Sequence, residues 1–304
     1  MKDITHKPTS ERFARAQAML RIDPAILRAT GHGRNTDKGD AIEASRVAGI
    51  MAVKRTWEAL PFCHPLAITA CDVHFEFLDE GIYLEVSATC VGPTGVEMET
   101  LYAASVAAMN LYDMLKPHAS ADTGLISVTD IKLVEKRGGK SDFRDPVSVR
   151  AAIVVTSDAV VSGVKEDRAG HIVRDRLLKK EGVDIVDYIV LGNDPAPIAQ
   201  TLDALLARDL DLIVTVGGTG LEPHARTVEV VEQRIQRPIP GIMEAARQHG
   251  QARTPRALLS RGVAGQAGHC LLVTFPGSSA GARQTCDAVL TGLLASVRPA
   301  PSSS

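Results

Sequence analysis

The chain has 304 residues, 45% of them hydrophobic and 23% charged, and a formal net charge of −2. That length exceeds one ordinary core, so two domains are expected. The near-neutral balance and an aromatic content of 4% exclude whole-chain attraction to nucleic acid or membranes and leave little to stack on bases. Any anion must be recognised locally. Five cysteines (Cys63, Cys71, Cys90, Cys270, Cys286) form an odd set with no CxxC pair and no zinc spacing, as expected for free thiols in a reducing compartment. The charged start MKDITHKPTSERF has no apolar stretch and no run reaches a membrane span, so the expected location is the cytoplasm.

In chain order, residues 1–40 read as a basic, glycine-containing lead ending in a loop over residues 31–40. Residues 41–60 carry Ile42, Val47, Ile50 and Val53 at helical spacing and stop before Pro61 and the turn PFCHPL. Residues 72–78 and 82–90 alternate as strands, joined through Asp79-Glu80-Gly81 as a hairpin. Residues 95–117 read as a helix, with Thr94 and Glu97 at capping-box spacing, four alanines for close packing and Pro117 as the stop. A strand near residues 131–135 then leads into KRGGKSD. This order predicts an α+β domain, ferredoxin-like, with helices on one side of an antiparallel sheet.

Along residues 95–117, at about 100° per residue, Glu99 and Asp113 return within about 40° of one face, with Lys116 one turn beyond. An exposed polar face with an ordinary i,i+3 ion pair explains that pattern as well as a site does. The other candidates are Lys38, Lys54, Cys63-His64 and Lys140. A lone loop lysine is more often solvated than catalytic, and His64 between prolines suits a turn. Together, lysines on three segments, two beside glycine, suit a ligand with several phosphates, and an Asp beside a Lys suits proton exchange.

The segments DKGD, AGIMAVKRTWEALPFCHPL, TGVEMETLYAASVAAMNLYDMLKP and EKRGGKSD, spread over residues 1–143, resemble the MoaC family, cyclic pyranopterin monophosphate synthase. The resemblance implies conversion of a cyclic dihydroguanosine triphosphate intermediate to cyclic pyranopterin monophosphate with release of pyrophosphate, without a cofactor. It implies that Asp113 and Lys116 handle protons, that Lys38 is essential, that Cys63, His64, Met98 and Glu99 contact substrate, and that Lys54 and Lys140 recognise the triphosphate. It also implies a hexamer with sites at subunit contacts. GGKSD departs from relatives that carry a further glycine before the aspartate.

We set the junction near residue 147, giving domains 1–146 and 147–304. After it, apolar strands AAIVVT, DIVDYIVL, DLIVTV and CLLVTF alternate with helices near residues 168–181, 197–207 and 280–296, a doubly wound, three-layer α/β pattern. Its ligand loops fall at strand carboxyl ends: SDAVVSG with Ser157 and Asp158, GNDP with Asp194, GGTG (Gly217, Gly218, Thr219, Gly220) and PGSS (Pro276, Gly277, Ser278). A GGTG turn alone serves equally as a tight strand-to-helix turn. These loops together resemble the MogA/MoaB molybdopterin adenylyltransferase family over residues 150–296, which implies pterin and nucleotide binding, with magnesium and ATP.

The resemblance has one gap: Ala225 stands where that family carries a catalytic aspartate, with Glu222 and Glu229 as candidate substitutes. The expectation is therefore a fused biosynthetic protein, against a second domain that only binds and oligomerises, or a purely structural assembly chain. Partners are small pterin and nucleotide substrates and further copies of the chain, as a trimer or hexamer. No metal ligand set is assigned, and PAPSSS reads as a flexible tail.

Overall fold

A computed structural model of the chain describes residues 1–119, 125–143 and 147–297; the side chains of residues 140 and 141 are outside the described set. It divides into a unit of Met1–Asp142 and a unit of Phe143–Ser304. Residues 144–146, next to the expected junction, and the tail at 299–304 lie outside the described residues.

The first unit contains β1 (Ser10–Arg21), α1 (Pro24–Ala29), α2 (Ala41–Ala59), β2 (Ile68–Leu78), β3 (Gly81–Gly92), α3 (Glu97–Leu115), a 3-10 turn (Lys116–His118) and β4 (Ser127–Arg137). Its strands pair antiparallel in the order β2-β3-β1-β4. One of the sheet's two inner strands, β1, occupies sequence read as part of the basic, glycine-containing lead. Its inward side chains are Ala14, Ala16, Ala18 and Leu20, all 0% exposed. Three alanines give no β-branched or large apolar signal, so the alternation is hidden. The hairpin turns at Gly81, whose φ is +143°; a Cβ there would lie 2.0 Å from the Leu20 carbonyl oxygen, so the turn requires glycine.

The helix α3 corrects two expectations. Its N-cap is Val96, and no side chain caps it. Glu97 falls at the first helical position instead of the third, and its carboxylate pairs with Lys136 on β4 at 3.2 Å, so the capping box does not form. The expected charged stripe is also divided by burial, because Glu99 is 4% exposed whereas the Asp113 side chain is 51% exposed.

The second unit contains β5 (Val149–Thr156), α4 (Asp158–Val161), α5 (Arg168–Leu177), β6 (Val183–Leu191), α6 (Pro195–Leu206), β7 (Leu212–Val216), α7 (Thr227–Glu232), β8 (Arg237–Pro238), α8 (Pro240–Gln251), a 3-10 turn (Pro255–Leu259), β9 (Ala264–Ala267), β10 (Cys270–Phe275) and α9 (Ser279–Val297). The sheet order is β6-β5-β7-β10-β9-β8. The first four strands are parallel. The antiparallel strands β9 and β8 add an edge that the sequence reading lacks; AGQA and RP are too short and too weakly apolar to show a strand period. Core residues alternate between the two faces: Ala151, Ile153 and Val155 pack with α5, α8 and α9, and Ala152 and Val154 with α6 and α7. This alternation explains why β5 reads as an uninterrupted apolar run. Among the described residues no helix is long and apolar enough to cross a membrane.

Candidate functional site

Lys38, Asp113 and Lys116 come together at the carboxyl end of α3. The Lys38 Nζ donates to Asp113 Oδ2 at 2.6 Å and to the Asp113 carbonyl at 3.2 Å, and Lys116 Nζ lies 2.8 Å from Oδ1. Each carboxylate oxygen therefore faces its own ammonium. The loop holds Lys38 in place by local bonds: Thr36 Oγ1 donates to the Gly39 carbonyl at 2.7 Å, and Asp40 Oδ1 caps α2 through the backbone N–H groups of Ile42 and Glu43. Hydrogen bonds from Lys116 and then Lys38 hold the Asp113 carboxyl down, to a pKa of about 2, and the same pairing raises that of Lys116.

Cys63, His64, Met98 and Glu99 lie at the opposite end of the α2/α3 pair. Burial pushes the Glu99 carboxyl up, and Glu99 in turn helps burial raise the Cys63 thiol. The His64 Nε2 is 2.9 Å from the Lys2 carbonyl. That places the chain's beginning against this cluster, with Nε2 as the protonated nitrogen. Met98 is exposed, and so is Lys54, near the end of α2, where its charge reaches Cys71. Fourteen residues of α-helix separate Glu99 from Asp113, about 21 Å. One copy of the chain thus keeps the two clusters apart. The Lys140 side chain lies outside the described residues.

In the second unit a cavity of about 830 Å³ opens at the carboxyl ends of the parallel strands, within the range of pockets that enclose a small molecule. Its lining includes Ser157, Gly217, Gly218, Thr219, Gly220, Pro276, Gly277 and Ser278. Gly217 and Gly218 have φ of +111° and +61°. A Cβ on Gly218 would lie 2.0 Å from Thr227 Oγ1, itself 2.8 Å from Thr156 Oγ1. Backbone thus meets side chains where only glycine fits.

Asp158 and Asp194 are not among the residues lining the cavity. Asp158 accepts from the backbone N–H and Nδ2 of Asn193, each at 2.8 Å, which lowers its pKa. Asp194 caps α6 by accepting from the Ala196 N–H. Both carboxylates shape the loops, and Asn193 faces the cavity in their place. Arg261, which the sequence reading missed, ties the Thr219–Glu229 stretch together: its N–H donates to the Thr219 carbonyl at 3.0 Å, its Nε to the Gly220 carbonyl at 2.8 Å, and its guanidinium to the Ala225 carbonyl and to Glu229. No local pattern marks it, because its partners lie more than thirty residues away.

Residues 1–139 match the MoaC family, and residues 152–296 match a probable molybdopterin binding domain. The chain is 33% identical over 293 residues to a molybdenum cofactor biosynthesis bifunctional protein of Chlorobaculum tepidum, covering 96% of this chain and 92% of that one. A protein of the same description from Synechococcus elongatus is 35% identical, over 92% of this chain and 90% of its own length. The chain belongs to the bifunctional molybdenum cofactor biosynthesis proteins. Its first unit is also 45% identical over 141 residues to a cyclic pyranopterin monophosphate synthase of Novosphingobium aromaticivorans, covering 46% of this chain and 87% of that protein.

For this bifunctional protein the magnesium expected in the second unit can be tested against the donors around the cavity. The carboxylates of Asp158 and Asp194 are engaged as described, Asp167 caps α5 and accepts from Tyr188, and Glu229 pairs with Arg261. Among the described residues no group of three His, Cys, Asp or Glu side chains is placed to hold a metal. Glu222 also lines the cavity and is the carboxylate there that would meet a magnesium ion carried on a nucleotide's phosphates.

The paired geometry in the first unit makes a direct prediction. In the intact protein, carbon-13 NMR of labelled aspartate should find Asp113 titrating near pH 2, and Lys38→Ala or Lys116→Ala should move it toward the ordinary carboxylate value. Because the folded pKa lies below the unfolded one, the pairing contributes stability above the ordinary carboxylate pKa and loses it as pH falls through about 2. An ordinary titration in the wild type would contradict the geometry.

Proposed function

We propose that the first unit converts the cyclic dihydroguanosine triphosphate intermediate to cyclic pyranopterin monophosphate and pyrophosphate, without a cofactor. The observation that carries this reading is the Asp113 carboxylate held between the ammonium groups of Lys38 and Lys116. When a substrate hydroxyl attacks the α-phosphorus, it gives its proton to a base as the new P–O bond forms and the bond to pyrophosphate breaks, and negative charge grows on the leaving group. Fixed ammonium groups favour that charge most where it is greatest. Phosphate also competes with Asp113 for the lysines, which returns the carboxylate toward its ordinary basicity and lets it exchange protons with them.

The distance along α3 supports a homo-oligomer, trimer or hexamer, in which the Asp113 end of one copy meets the His64 end of another. The strand order of the first unit supports the ferredoxin-like reading, and the helices on both faces of the second support the doubly wound one. Asp113→Asn, Lys38→Ala and Lys116→Ala should each lower kcat by about 10² or more with thermal unfolding nearly unchanged, since the three side chains are about half exposed. Full turnover in Asp113→Asn, or no pyranopterin product from the wild type, would refute the reading.

For the second unit we infer a pocket that binds a pterin phosphate or nucleotide without transferring adenylate. Ala225 is 5% exposed and carries no carboxylate where the resemblance requires one. Glu229 is held by Arg261, and Glu222 alone faces the cavity among the two candidate substitutes. Incubated with molybdopterin and magnesium ATP, the wild type should yield no adenylylated product and Ala225→Asp should gain some. Robust product from the wild type would overturn this inference.

A further inference from the structure

The His64 ring makes its one described hydrogen bond through Nε2, 2.9 Å from the Lys2 carbonyl oxygen. A carbonyl only accepts, so Nε2 carries the proton. The other ring nitrogen, Nδ1, has no partner among the described residues, and it is not among the buried side-chain atoms sealed from solvent without one. Nδ1 is therefore open to a ligand. In the neutral ring a proton fixed at Nε2 leaves the lone pair on Nδ1, and that nitrogen accepts instead of donating.

Both sides of this contact are held by ordered backbone. Pro65 restricts the backbone of His64 to extended conformations, and the Cys63 N–H donates to the Leu60 carbonyl at 3.0 Å, which fixes the turn that carries the ring. On the other side residues 1–9 are shaped by their own bonds: Asp3 Oδ1 accepts from the Thr5 N–H at 2.8 Å, and the Lys7 N–H donates to the Ile4 carbonyl at 2.9 Å. Ile4, Lys7 and Pro8 are half-buried. The segment then enters β1, where Ser10 pairs with Gly92.

We propose that residues 1–9 are a positioning segment for the first unit's site: the Lys2 carbonyl fixes the His64 ring with its proton on Nε2, so that Nδ1 accepts a hydrogen bond from an O–H or N–H of the substrate. This assignment keeps His64 away from phosphate. A phosphate oxygen presents lone pairs, which the bare Nδ1 repels, whereas hydroxyl and ring N–H groups donate to it. The lysines remain the phosphate partners. The proposal rests on the reaction assigned to this unit, but the state of the ring is measured without turnover.

The test is nitrogen-15 solid-state NMR of the histidine-labelled full chain in mildly alkaline buffer, with His64→Gln identifying the His64 signals among the nine histidines. Kinetics with the cyclic dihydroguanosine triphosphate intermediate and thermal unfolding accompany it. Two variants are compared with the wild type: a chain lacking residues 2–5, and Asp3→Ala, which removes the Asp3–Thr5 turn. The wild type should show a protonated Nε2 and a bare Nδ1. In the shortened chain the proton should divide between the two nitrogens, and KM should rise about fivefold, the worth of one neutral hydrogen bond, with kcat within about twofold. Asp3→Ala should move both readouts the same way by less, and it decides the matter should the shortened chain fail to fold.

A wild type protonated at Nδ1 would overturn the proposal, and so would a variant that keeps both the wild-type ring state and the wild-type KM. A raised KM with an unchanged ring would overturn it as well, because residues 1–9 would then touch substrate directly instead of acting through His64. The expected ring state, lost on deletion, in a wild type that forms no pyranopterin product would keep the positioning and refute the reaction.

Discussion

Alanine determines how closely α3 lies on its sheet. Ala14, Ala16 and Ala18 on β1 and Ala103, Ala104, Ala107 and Ala108 on α3 are buried to 0% exposure, and Gly49 on α2 leaves its neighbour Ala107 similar room, since a Cβ there would sit 3.4 Å from the Ala107 methyl. Larger side chains at such contacts cost about 1–3 kcal/mol in forced shifts. The small residues let α2 and α3 run antiparallel at short range, joined by Asn110 Nδ2 to Ser45 Oγ at 2.9 Å. With that pair fixed, the loop before α2 must meet the end of α3, and the PFCHPL turn must meet its beginning. The two groups of polar residues follow from this packing.

The two ends are tuned in opposite directions. At one, exposed charges pair, and water screens all but the direct hydrogen bonds that hold Asp113 ionised. At the other, desolvation dominates: Glu99 is buried and pushed toward its neutral form, beside thiols pushed the same way. The second unit works by another means, glycine backbone. Its loops approach one another too closely for side chains, and Arg261 supplies the bonds that those glycine turns cannot make for themselves.

The elements that declared themselves in the sequence bury large residues at a regular period. The parallel strands of the second unit and the hairpin β2–β3 are of this kind. Strand β1 did not, because alanine reads as a helix former although here it serves close packing. The Thr94/Glu97 spacing misled for a related reason: Glu97 has a better partner in Lys136, and local propensity yielded to a tertiary ion pair. Lys38 and Asp113, 75 positions apart, entered one set of candidates from residue types alone, and the family resemblance gave them their roles. Asp158 and Asp194 sit in the loops where they were sought, but their oxygens are spent on backbone and Asn193, a distinction that no spacing rule carries. Arg261 left no local trace because it acts on distant carbonyls.

The central claim is that the first unit's site is built from the Asp113 end of one copy and the His64 end of another. It is tested most directly by subunit mixing: His64→Ala and Asp113→Asn proteins, each inactive alone, are dissociated, combined and reassembled before assay of pyranopterin product. The account predicts recovered activity, since some contacts in mixed assemblies join two intact halves; inactivity of the verified mixed assemblies would contradict it.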